Sequence, residues 1–455
     1  MKKLRPVYWI TAAGGVICAA LTAAETLRLQ LGTAGDRAAL AALLLALLAL
    51  ALCLVWRELR DVRAVCLATL PAAAALLVRA MCLDYVSGDY ENFLSVWVEF
   101  FRLNGGYRAI AQNIGNYNVP YLYMLAGISY LKIPDLYLIK WFSVLFDVLL
   151  AWGGLRLTRV LRGKRQGDWG PLAAFLAVLF LPTVVLNGSY WGQCDAVYAA
   201  IAVHAMAFLL EGKGGWSAAL MGIAFSFKLQ TVFILPLWGV MWLAKRVKFR
   251  QLWMFPAAYA VTLLPALLLK KPLLDMIGVY FNQAKEYTRL TLNAPSVFQF
   301  VPYGMEVNET LLSRLGIAAA FALAAALLAV GLIFGRKLDR GIFYIMAVAL
   351  AVGVPFFLPH MHERYFFLAD VLAACWACAD RRRVPVCVLT VGASLGSYLV
   401  YLRLQYNVVI SICGMRFTMA VEGAMMLAAL ILTGIELVRR LNVCKAKMIN
   451  REDGV

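Results

Sequence analysis

Runs of about twenty apolar residues recur along this chain from one end to the other. A helix needs about that length to cross the ~30 Å hydrocarbon layer of a bilayer, where every backbone polar group must be bonded internally. The pattern predicts an all-α, polytopic integral membrane protein. The runs are continuous rather than alternating, which argues against a β-barrel. The chain is 63% hydrophobic and 15% charged over its 455 residues, against about half and about a quarter in a soluble domain. The sequence shows no Gly-rich phosphate loop, nucleotide-binding motif, transporter-like internal repeat or soluble domain.

A net charge of +18 would suggest nucleic acid in a soluble protein. Here most basic residues sit in the short loops between apolar runs, as the positive-inside rule describes. The expected partner is membrane lipid, and nucleic acid is not expected. Most of the ten cysteines lie inside apolar runs, and Cys375 and Cys378 form a C-x-x-C beside Trp376. Packing, rather than metal or redox chemistry, is the expectation there.

The runs order into about 14 spans. Three come first, at roughly 7–24, 38–56 and 64–82, the first read as an uncleaved span rather than a signal peptide. The basic connection Arg57–Arg63 belongs inside, so a large loop at about 84–136 falls outside. In it, Asp89 to Leu103 reads as an amphipathic helix with Phe93, Trp97, Phe100 and Phe101 on one side. Asp89 lies near its cap, Ser87 just upstream, and Gly105-Gly106 ends it. The run Tyr121 to Leu131 is too short to span and is expected in the interface. Further spans are expected at about 137–155, 170–186 and 195–211, two short ones within 216–244 turning at Lys228, and one at 252–270. A second outer loop, about 271–311, carries Lys285, Glu286, Tyr287 and Arg289 and is expected to hold another interfacial helix. Spans at about 312–334, 341–358, 366–380, 385–402 and 413–437 complete a single transmembrane domain with both termini inside.

In this topology the unusual polar residues gather on the outer face. They are Asp84, Asp89 and Glu91; Gln193 and Asp195; Lys228 and Gln230; and His360, His362, Glu363 and Arg364. Ionisable residues at a membrane boundary are solvated, paired or used. One reaction fits a set of carboxylates and cations at that depth. Transfer of a sugar from a lipid phosphate to a hydroxyl needs a carboxylate base. It also needs cations to stabilise the departing phosphate, for which Lys228, Arg364 and a histidine are candidates.

Five segments carry a resemblance. They are Gly88-Asp89-Tyr90-Glu91 with Trp97; Asn116-Tyr117-Asn118-Val119-Pro120-Tyr121-Leu122-Tyr123; and Asn187-Gly188-Ser189-Tyr190-Trp191-Gly192-Gln193-Cys194-Asp195. Phe227-Lys228-Leu229-Gln230 with Pro236, and His360-Met361-His362-Glu363-Arg364-Tyr365-Phe366, complete the set. Across roughly residues 84–370 the chain resembles the GT-C superfamily of integral-membrane glycosyltransferases. Within it the chain is most similar to the bacterial group related to the GPI-anchor second mannosyltransferase. It also resembles the dolichyl-phosphate-glucose-dependent glucosyltransferases. Residues 1–63 are an addition to that core.

The resemblance implies an inverting transfer of a hexose, mannose first, from a polyprenyl-phosphate donor to a glycan, lipid or protein acceptor. It implies Asp89 as the base, with Glu91 the competitor and Asp84 outside the motif. His362 and Arg364, with His360 and Lys228, would hold the donor phosphate. Arg364 stands where the glucosyltransferases have Lys, and its planar fork changes the geometry offered to a phosphate. Glu91, Tyr117, Gln193, Asp195 and Gln230 are substrate-binding candidates. For Gln193 and Asp195 a structural role is equally open, and the aromatics at 97 and 117–123 read as interfacial anchors or as sugar-stacking platforms. No cofactor is expected, and no ligand cluster compels a metal. Asp147, with Lys140 two turns earlier, and His204 are expected in buried polar contacts. The implied location is a bacterial cytoplasmic membrane with the site on its outer face. The alternatives are a lipid-linked saccharide transporter, which would need polar residues along a midplane path, and a non-catalytic scaffold.

Overall fold

A computed structural model describes residues 6–163, 167–283, 288–302, 304–402, 409–412 and 415–452. The expected loop residues Lys285, Glu286 and Tyr287 lie outside the described residues. The helices in order are α1 (Pro6–Leu27), α2 (Ala34–Leu59), α3 (Val62–Ala80), α4 (Ser95–Leu103), α5 (Val119–Ile128) and α6 (Asp135–Arg162). Next come α7 (Gly170–Phe180), α8 (Pro182–Val185), α9 (Asp195–Leu210), α10 (Gly214–Phe227) and α11 (Pro236–Leu243). Then follow α12 (Phe249–Leu252), α13 (Met254–Leu268), α14 (Leu273–Gln283) and α15 (Glu309–Phe334). The last are α16 (Arg340–Phe357), α17 (Phe367–Ala379), α18 (Val384–Tyr401) and α19 (Ala420–Glu452). Among the described residues strand is confined to two short ladders: β1 (Thr291–Leu292) parallel to β2 (Met361–His362), and β3 (Val409–Ile412) antiparallel to β4 (Met415–Thr418).

Among the described residues nine helical stretches are long and apolar enough to cross a membrane, and a tenth counts if a bent pair is one span. That pair, Gly170–Phe180 with Pro182–Trp191, bends by 47°. The bend has a local cause. Pro182 disfavours helix at the residue before it, and Leu181 accordingly leaves the helical region at ψ 121. The other expected spans fall on shorter apolar helices. α9 has 16 residues, α10 has 14 and α17 has 13. The run at 216–244 divides at Lys228 into α10 and Leu229–Leu243. The fourteen spans read from the sequence are therefore not all of spanning length.

The chain forms two compact units. The first comprises Met1–His204, Ser226–Lys228 and Ala258–Ala284. In it α1 lies along α3, and Gly15 lets them approach: a Cβ there would stand 2.5 Å from Thr69 Cγ2. Thr33 and Asp36 form a capping box at the start of α2. An apolar cluster gathers Trp97, Val98 and Phe101 of α4, Tyr121, Leu122 and Leu125 of α5, and Met276 of α14. This changes one expectation: Trp97 and Tyr121 are core residues rather than anchors. α5 itself has no exposed residue. Of the aromatic face read on the first loop, Trp97 and Phe101 turn inward while Phe93 stays half exposed. A helix, α14, does form in the expected second loop, with Met276 and Tyr280 buried and Leu274 and Phe281 exposed.

Buried ionic groups stiffen this unit. Arg79 of α3 donates from Nε to Asp147 Oδ2 of α6 at 2.8 Å, with both side chains fully buried. Lys140 does not join Asp147; its ammonium collects the carbonyls of Cys82 (3.0 Å), Leu83 (2.9 Å) and Tyr85 (2.6 Å). These carbonyls lie in the chain just after α3, and the ammonium ties that stretch to α6. His204 accepts from Arg156 Nη1 at Nδ1 and donates from Nε2 to Leu149 O, both at 3.1 Å, as the expected packed and bonded helix residue.

The second unit comprises Ala205–Phe225, Leu229–Ala257 and Lys285–Val455. It is built round α16, buried from Ile342 to Phe356 and flanked by α11, α15, α17 and α19. Asp370 accepts from Ser394 Oγ at 2.8 Å between α17 and α18. Glu436 of α19 accepts from Arg383 Nη2 at 2.8 Å and Arg439 Nε at 2.7 Å.

Candidate functional site

The site in the first unit begins with a helix cap. Ser87 Oγ accepts from the Tyr90 N–H at 3.2 Å and donates to Trp191 O at 2.7 Å. Ser87, not Asp89, is therefore the capping side chain, and Asp89 makes no cap bond. The carboxylate turns instead toward the second segment. Trp191 Nε1 donates to Asp89 Oδ2 at 2.9 Å, and Gln193 Nε2 donates to the same oxygen at 2.5 Å. Two N–H donors on one oxygen fix the plane of the carboxyl group. Both segments are π-helical turns, Tyr90–Leu94 and Leu186–Trp191. These wider turns recur at functional sites.

Gly192 makes the second segment possible. At φ 83 it reverses the chain after Trp191, a conformation that favours glycine. The Gln193 N–H then reaches Asn187 O at 2.8 Å, and Ser143 Oγ holds Gln193 O at 2.7 Å. Asn187 itself is fully buried and donates from Nδ2 to Asp195 Oδ2 at 2.8 Å. The other oxygen of Asp195 receives Lys228 Nζ at 2.5 Å. Lys228 also stands 5.9 Å over the ring of Tyr117, whose hydroxyl donates to Gln193 Oε1 at 3.4 Å. Asp89, Gln193, Tyr117, Lys228 and Asp195 thus form one connected cluster.

The neighbouring carboxylates do other things. Asp84 accepts from Tyr137 Oη at 2.5 Å and from the Gln30 N–H at 3.2 Å, which ties the turn after α1 to α6. Glu91 is exposed, and among the described residues its carboxylate makes no hydrogen bond. Tyr90 Oη donates to Asp135 at 2.8 Å, and burial first, then the Asp135 carboxylate, raise its phenol above the ordinary range. These contacts leave Asp89 as the first-loop carboxylate joined to the Gln193 and Lys228 segments.

The second unit holds its own polar group. His360 adopts φ 63; its N–H donates to Leu290 O at 2.9 Å and its Nδ1 to Arg289 O at 2.7 Å. Such a φ is uncommon outside glycine and marks a constrained loop. His362 lies in β2, paired with Leu292. Glu363 is buried between its neighbours, 3.9 Å from His362 Nδ1 and 3.2 Å from Arg364 Nη1. The Arg364 fork thus spends one arm on a carboxylate, a partner the sequence did not indicate. Gln230 is buried in this unit, in the turn Leu229–Ile234.

Reading the sequence missed Trp191 as a donor to Asp89, Asn187 as the support of Asp195, and Arg79. Trp191 and Asn187 lay inside a segment already singled out. Arg79 carried its own signal, a charge inside an apolar run. Among the described residues no group of three His, Cys, Asp or Glu is arranged to hold a metal ion. No protein-family model matches the chain, and none of the curated proteins compared matches it.

Proposed function

We propose that this protein is an inverting glycosyltransferase of the GT-C type. It would move a hexose, mannose first, from a polyprenyl-phosphate donor to an acceptor hydroxyl on the outer face of a bacterial cytoplasmic membrane. The observation that carries the reading is Asp89: a first-loop carboxylate held in plane by Trp191 and Gln193. A base must be oriented before the acceptor arrives, and these two donors orient it.

In the proposed step the acceptor hydroxyl gives its proton to Asp89 as its oxygen bonds to the anomeric carbon of the donor. The bond from that carbon to the phosphate oxygen breaks, and the lipid phosphate leaves with the electron pair. Inversion follows from attack opposite the leaving group. The donor-phosphate role of His362 and Arg364, with His360, rests on their motif. Lys228 enters the reading differently from the sequence expectation, since its ammonium is engaged by Asp195 and supports the Gln193 segment.

The test is transfer by the purified full-length protein in lipid nanodiscs. A panel of polyprenyl-phosphate hexoses is offered with membrane extract as acceptor source, and products are read by mass. Transfer by the wild type and its loss in Asp89→Asn support the reading. Full activity in Asp89→Asn removes Asp89 as the base. Flux of labelled lipid-linked sugar across acceptor-free liposomes, with no transfer from any donor, favours the transporter instead.

A further inference from the structure

Beside the Asp89 cluster the same unit holds a cleft of about 260 Å³. One wall is the segment before α5 and the first turns of that helix; the other is Lys271 and a face of α14. The lining side chains that carry chemistry are Asn113, Tyr117, Lys271, Asp275 and Asn282.

These groups are already organised. Lys271 is 5% exposed and donates to Gln112 O at 2.8 Å and Asn113 Oδ1 at 3.1 Å. Asn113 passes the chain on, donating from Nδ2 to Asp275 Oδ2 at 3.1 Å. Burial lowers the Lys271 ammonium from its ordinary range, and the nearby Asp275 carboxylate opposes that shift. The walls are tied together further on. Asn118 donates to the hydroxyls of Tyr259 at 3.2 Å and Tyr280 at 3.3 Å, and the Gln283 amide bonds Asn116 O.

The charge on the lining decides the ligand class. One lysine and one aspartate, coupled through an asparagine, leave no excess of either sign. A free anion or a cation gains little there. A neutral molecule bearing both donors and acceptors can use the ammonium, the carboxylate, the amides and the phenol together, with the Tyr117 ring as an apolar face. Carbohydrate has that chemistry. The cleft also leads to the right place. Tyr117 lines it and bonds Gln193 at 3.4 Å, and Gln193 bonds Asp89 at 2.5 Å.

We propose that this cleft is the acceptor site and that the acceptor it takes is a neutral, hydroxyl-rich glycan. The proposal rests on the glycosyltransferase reading, and its test does not depend on turnover. Gly278 lines the cleft within α14, and a Cβ added there meets no heavy atom within 4 Å. Gly278→Trp therefore fills the cleft without a clash at its first atom, and replacing a helix-interior glycine does not weaken α14.

Saturation-transfer NMR is recorded on the full-length protein in nanodiscs, with neutral disaccharides of mannose, glucose and galactose as probes. Signals from at least one probe are expected with the wild type and with Asp89→Asn. They should fall by about tenfold in Gly278→Trp and in Asp275→Ala, with the melting temperature of Gly278→Trp preserved. Equal signals from the wild type and Gly278→Trp overturn the proposal, and so does the absence of signal from every probe with the wild type. Retained transfer in Asp89→Asn counts against the assigned base and leaves the cleft result standing.

Discussion

Lys228 Nζ lies 2.5 Å from Asp195 Oδ1, and neither side chain is more than 7% exposed. A buried pair of this kind is held by mutual attraction against a large desolvation cost, so losing one partner is worse than losing both. Lys228→Met or Asp195→Leu alone should cost about 3–5 kcal/mol of stability, and the double variant Lys228→Met/Asp195→Leu should recover most of it. Thermal and denaturant melts in detergent measure this. Additive losses in the double variant would show that the pair is not coupled.

Asp89→Asn should lower transfer by about 10²–10⁴-fold, the usual contribution of a positioned base, while the protein melts as the wild type does. Glu91→Gln, at an exposed side chain, should stay near wild-type activity. The reverse ranking of the two in a transfer assay would move the base to Glu91.

Trp191→Phe keeps an aromatic ring and deletes the N–H that reaches Asp89. A hydrogen bond to a charged group contributes about 1.5–3 kcal/mol, so kcat should fall by roughly 10–100-fold. The acceptor KM should change little, because the indole orients the base. A change confined to KM would instead make Trp191 a contact of the substrate.

Arg364→Lys keeps the charge next to Glu363 and loses the planar fork. The donor KM should rise by about tenfold, whereas Arg364→Gln should raise it further. Donor titration at fixed acceptor reads the difference, and an unchanged donor KM in both variants removes Arg364 from the phosphate role.

Gly106→Ala tests the end of the first-loop helix. At φ 62, a Cβ on Gly106 would stand 2.0 Å from Tyr130 Oη. The clash and the left-handed backbone together should cost at least about 1–3 kcal/mol. Wild-type melting of the variant would mean that Tyr130 can move aside freely.

The helical membrane class was legible because apolar run length is a property of single segments. The division at Lys228 and the glycine stop after Leu103 were legible for the same reason. The span count was less so. Pro182 breaks one run by backbone geometry, and α9, α10 and α17 stop at 16, 14 and 13 residues. Within the site, Asp89, Gln193, Asp195 and Lys228 stood out as polar residues in an apolar chain. What a carboxylate bonds to depends on distant segments. Thus Asp84 proved to be a tether for Tyr137, Lys140 bound carbonyls of the stretch after α3 rather than Asp147, and Asp147 found Arg79. The buried tyrosines show the same limit. An aromatic beside a short apolar run looks like an anchor until α4, α5 and α14 enclose it.

Asn187-Gly188-Ser189 has the pattern of an N-glycosylation acceptor, yet its amide nitrogen is sealed in the fold and bonded to Asp195. A glycan could attach there only before the Leu186–Trp191 turn closes. Production in a eukaryotic secretory host would then split the protein into two populations. Molecules that fold ahead of the modifying enzyme would keep Asn187 bare, and the others would be permanently deprived of the Asn187–Asp195 bond. The mass of the peptide carrying Asn187 would therefore record the order in which folding and modification took place.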